Sequence, residues 1–84
     1  MDYYTDTIVE HLRAAMDRDS VFRSENDLKL AQNAINLEPG YFTDDGVIQL
    51  LGLISRATHL LYFDLEESCR LMDQAVVPIL EGEV

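Results

Sequence analysis

Apolar residues recur at helical spacing along almost the whole chain, and strand-like alternation is nearly absent. In the first segment Ile8, Leu12, Ala15 and Met16 share a face, with Val9 beside them. Thr7-Ile8-Val9-Glu10 has the S/T-x-x-E form of a capping box, and the pattern predicts a helix from about Asp6 to Asp17. Asp17-Arg18-Asp19-Ser20 has no apolar member and reads as a turn. Ser24-Glu25-Asn26-Asp27 is the next start signal, with Ser24 as N-cap and acids at the positive end of the helix dipole. Leu28, Ala31 and Ile35 then form a stripe that Pro39-Gly40 ends.

The third segment is the clearest. Thr43 is a good N-cap, and Asp44 and Asp45 fall in the first turn. Val47, Leu50, Leu51, Ile54, Ala57, Thr58 and Leu61 follow a 3-4 pattern, and Ile48, Leu53 and Leu60 widen the apolar arc. An arc this wide predicts either the central helix of the domain or the seam of a homodimer. Asp64-Leu65-Glu66-Glu67 opens a fourth helix, with Asp64 as N-cap and a stripe of Leu65, Cys69, Met72, Val76 and Leu80. Pro78 is expected to kink or end it, leaving 81–84 as a frayed tail. The fold class is all-α: one domain over 1–84, a compact bundle of three to four short antiparallel helices.

Composition narrows the function more than the fold. The chain has 84 residues, with 16 acidic and 6 basic side chains and a net charge of −10. Six cations make too small a basic patch for direct nucleic-acid binding. One cysteine forms no internal disulfide. The first residues are acidic and polar, and the longest apolar stretch, Val47 to Ile54, is far short of the ~20 residues a membrane helix needs. A soluble, cytoplasmic protein is expected, with no membrane partner.

Catalytic and metal chemistry find little to stand on. No His pair has zinc-site spacing, and Asp17-x-Asp19 opens like a calcium loop but continues into Val21 and Phe22 where an oxygen ligand and a glycine are needed. Cys69 lies on an apolar stripe with Glu66, Glu67 and Asp73 close in sequence, which suits a packed thiol better than a nucleophile. The glycines lack a phosphate-loop lysine. A helix-turn-helix drawn from the second and third helices would point Asp44 and Asp45 at phosphates. No enzyme activity, cofactor or metal is expected. Asp19-Ser20-Val21 resembles the Asp-Ser-aliphatic attachment motif of acyl carrier proteins, which are acidic helical domains of this size. It departs from that family in lacking a glycine before Asp19 and a long loop before Ser20.

What remains is the acidity. Capping and solubility account for about a third of the acids, and a surplus that destabilises by self-repulsion suggests a basic partner. The densest groups are Asp44 and Asp45 at one helix start, and Asp64, Glu66 and Glu67 at another. Three aromatic pairs, Tyr3-Tyr4, Tyr41-Phe42 and Tyr62-Phe63, stand at helix ends; neighbours cannot both face one core, so Tyr41 and Tyr62 are candidate contact residues beside their simpler role of stapling those ends. The expected function is a non-enzymatic regulator or inhibitor that occupies a basic surface of a larger partner, such as a nucleic-acid-binding protein. In size and charge the chain is similar to the small acidic inhibitors of phages and mobile elements, anti-CRISPR proteins among them. The alternative is a structural homo-oligomerisation module, or a small transcription or stress regulator acting through protein contacts.

Overall fold

The computed structural model describes residues 3–17 and 20–84. It contains α1 (Tyr3–Ala15), α2 (Val21–Leu37), a one-turn 3-10 helix (Pro39–Tyr41), α3 (Asp44–Leu60) and α4 (Leu65–Glu81). The helices form a closed ring of neighbours: α1 packs most extensively on α2, α3 on α4, and the two hairpins meet through α1–α4 and α2–α3. Each adjacent pair is antiparallel. Tyr4 meets Ala34 while His11 meets Asp27, Ser68 meets Ala57, and Cys69 near the start of α4 lies over Met16 past the end of α1. The bundle measures 32 × 21 × 20 Å.

The core runs through the ring and follows the predicted stripes of α1 and α2; in α4 the expected stripe is corrected, since Leu71, Ala75 and Ile79 are buried beside Met72 and Val76 while Leu80 is 45 % exposed. Ile8 and Leu12 of α1, Leu28 and Ile35 of α2, Leu50 and Ile54 of α3 and Met72 of α4 are all fully buried. Truncating one of the core leucines or isoleucines to Ala would cost about 2–5 kcal/mol. Two buried serines tie elements together. The Ser68 hydroxyl donates to the Ala57 carbonyl at 2.6 Å, stitching α4 to α3, and the Ser24 hydroxyl donates to Asp17 at 3.2 Å.

Thr43 and Asp64 cap α3 and α4 as expected, accepting from the amides of Gly46 and Glu67. Several other expectations are corrected. Thr7 is no cap: α1 already begins at Tyr3, and the Thr7 hydroxyl donates back to the Tyr3 carbonyl at 2.8 Å. The N-cap of α2 is Ser20, whose hydroxyl accepts from Arg23, while Ser24 lies buried inside the helix. The helix therefore starts a turn earlier, and Val21 joins the core edge. Pro78 sits within α4, which continues through Ile79, Leu80 and Glu81 to its cap at Gly82. Gly82 then turns the chain at φ 70°, the left-handed conformation that glycine enters without strain. The tail is docked rather than frayed: Glu83 donates to Pro78, the Thr43 amide donates to the Val84 carbonyl, and Val84 packs against the core.

The wide arc of α3 does not make it central. Like each of the others it has two neighbours in the ring, α4 and α2, and its arc exceeds what they cover. Ile48 is left 71 % exposed.

Candidate functional site

Antiparallel neighbours divide the bundle into two poles. One gathers the N-terminal ends of α1 and α3 and the C-terminal ends of α2 and α4. The other gathers the opposite ends. This sorting separates the charge. Asp6, Glu38, Asp44, Asp45, Glu81 and Glu83 all fall at the first pole, and all six are exposed. No lysine or arginine among the described residues lies there. Arg13, Arg23, Arg56 and Arg70 belong to the second pole, and Lys29 is at the middle of α2.

Sequence proximity had grouped the acids differently. Asp44 and Asp45 were one cluster, with Tyr41 beside them; Asp64, Glu66 and Glu67 were the other, with Tyr62. The structure places these clusters at opposite ends of α3, about 25 Å apart for 17 residues of helix. They form no single surface. The second cluster is partly neutralised: Arg70 donates to both carboxylate oxygens of Glu67, with its Nε at 2.7 Å, and this bond holds the Glu67 carboxyl below its ordinary value. Tyr62 leans toward α2. Loss of hydration, and then the hydrogen bond and charge of Glu25, raise its phenol above the ordinary 10.0.

The first pole is enlarged instead. Asp44 and Asp45 are joined by acids from three other elements, none of which stood out in the sequence. Their crowding shows chemically: a hydrogen bond to Glu83, together with its negative charge, raises the Glu81 carboxyl above its ordinary value. The aromatic residues of the same pole form a cluster. Tyr4 stacks on Tyr41 with ring centroids 4.4 Å apart, Phe42 approaches Tyr4 at 6.2 Å, and the Tyr4 hydroxyl donates to the Ala34 carbonyl at the end of α2. Tyr41 therefore braces the pole while keeping 52 % of its surface exposed. Exposed Tyr3 and Leu37 stand at the same end.

The other candidates are placed as follows. His11 hydrogen-bonds Asp27 at 3.1 Å between α1 and α2. The Cys69 thiol lies half-buried against the Met16 carbonyl at 3.9 Å. Ser20 is the α2 cap, and Asp19, which the calcium-loop and carrier-like patterns need, lies outside the described residues. No group of three metal-ligating side chains occurs among the described residues, and no helix among them is long and apolar enough to cross a membrane. Comparison with protein-family models, characterised proteins and solved structures gives no match.

Proposed function

We propose that the protein is a non-enzymatic regulator or inhibitor that presents its acidic pole to a basic surface on a larger protein, for which a nucleic-acid-binding protein is the natural class. The observation that carries this reading is the segregation of charge: six exposed carboxylates at one end of the bundle, with no lysine or arginine beside them among the described residues. Asp6, Asp44 and Asp45 stand in helix first turns, where the dipole favours them, but Glu38, Glu81 and Glu83 lie at helix C-terminal ends and add only self-repulsion. The arrangement suits electrostatic steering toward a positive groove, with exposed Tyr41 and Tyr3 able to supply contact area.

The test is affinity capture from a host extract with elution in rising salt, using three versions of the chain. Wild type should retain a basic protein that elutes at moderate salt. Reversal of Asp44, Asp45 and Glu81 to Lys should abolish that capture. Reversal of Asp64, Glu66 and Glu67 should weaken it far less. Retention that ignores salt, or that survives the first reversal, would overturn the reading.

A further inference from the structure

Gly52 is a helix-interior glycine that the fold does not require. It lies at the middle of α3, where glycine costs about 1 kcal/mol relative to alanine. A Cβ added there would meet nothing within 4 Å, so no internal packing excludes a larger residue. It lines an open groove of about 830 Å3 between α3 and α4, with Ile48, Leu53, Val77 and Pro78 as its apolar lining and Arg56 and Asp73 beside them. Ile48 is 71 % and Val77 43 % exposed. A backbone kept bare on an outer face permits another helix to approach closely.

The residues either side of Gly52 say which helix. Positions three, four and seven away in each direction lie on the same face of α3. They are Gln49 and Ser55, Ile48 and Arg56, and Asp45 and His59, and all are exposed. In an antiparallel pairing about a two-fold axis at Gly52, each residue faces its counterpart from the other copy. Asp45 meets an imidazole N–H donor, Gln49 meets a hydroxyl, and Ile48 meets the aliphatic stem of an arginine. The face is complementary to itself, as an isologous interface demands.

We infer that the α3 face centred on Gly52 is a homodimer interface, with α3 of a second copy seated antiparallel in the α3–α4 groove. This goes beyond the acidic-pole reading, and its deciding variant, Gly52→Gln, leaves every charge of that pole in place.

The experiment is sedimentation equilibrium of the full chain across a wide concentration range, with circular dichroism to check folding. Wild type should dimerise reversibly. Gly52→Gln puts a helix-favouring side chain into open space, so it should fold with an equal or higher Tm. It should also raise the dimer dissociation constant by about tenfold or more, because the two side chains collide at the axis. Asp45→His alone should weaken the dimer, and adding His59→Asp should restore it by returning the acid–imidazole pair. A wild type that stays monomeric throughout would overturn the inference and leave the groove to a foreign helix. A dimer indifferent to Gly52→Gln would overturn it too.

Discussion

The backbone amide of Thr43 donates to the backbone carbonyl of Val84, so the residue that caps α3 also anchors the end of the chain. Gly46 lies beneath this crossing. A Cβ there would sit 2.7 Å from the Val84 carbonyl oxygen and 2.8 Å from its Cβ. Gly46→Ala should therefore destabilise the protein by about 1–3 kcal/mol, despite the better helix propensity of alanine. Gly52→Ala, in the same helix but facing open space, should stabilise it by about 0.5–1 kcal/mol. Urea unfolding of the two variants checks the contrast. If both are stabilising, the tail crossing contributes nothing to the fold.

The two serines at the start of α2 give a sharper contrast. Ser20 accepts from the Arg23 amide as N-cap, where Asp serves equally well, so Ser20→Asp should be tolerated. Ser24 is 1 % exposed and faces the core. Ser24→Asp should cost about 3 kcal/mol or more, since it buries a carboxylate where the serine hydroxyl faces the Asp17 carbonyl. Thermal unfolding of both decides between Ser20 and Ser24 as the start of the helix, because a cap at Ser24 would make Ser24→Asp harmless.

That example also shows where the sequence is legible and where it is not. Thr43 and Asp64 could be read as caps because each directly precedes both its acids and its stripe. Ser24 imitates that grammar, yet its hydroxyl is spent on Asp17, a residue of the preceding turn that no local pattern names. Pro78 reads as a terminator, and α4 does end one turn beyond it, at Glu81. The acidic pole was half legible. Asp44 and Asp45 are adjacent in the chain, whereas Asp6, Glu38, Glu81 and Glu83 reach the pole only because four helix ends converge there. Arg70 differs, because it pairs with Glu67 three residues before it on the same helix, a spacing that local sequence does carry.

The aromatic cluster separates bracing from binding. Tyr4→Ala loses the hydrogen bond to Ala34 and the contacts with Tyr41 and Phe42, and should cost about 3 kcal/mol or more of stability. Tyr41→Ala loses one stacked pair at a half-exposed site and should cost about 0.5–1.5 kcal/mol. Thermal unfolding gives both numbers. A Tyr41→Ala variant of unchanged stability would mean that the stack adds nothing to the fold.

Two carboxyls give stability opposite dependences on pH. Glu67 has its folded pKa lowered by Arg70, so its contribution is present above the ordinary value of 4.5 and is lost as pH falls through the depressed folded value. Glu81 has its folded pKa raised by Glu83, so the folded state favours its protonated form. That contribution is fully present below 4.5 and is lost as pH rises through the folded value. Glu81→Gln keeps a donor toward Glu83 and removes the charge. It should therefore raise the Tm at neutral pH and leave it unchanged in acid, where both carboxyls are protonated. Glu67→Gln should do the reverse, lowering the Tm at neutral pH with the deficit vanishing in acid. Thermal melts of the two variants across this range read both signs directly. A Glu81→Gln gain that persists unchanged below the carboxylate range would show that the crowding at the acidic pole is not electrostatic.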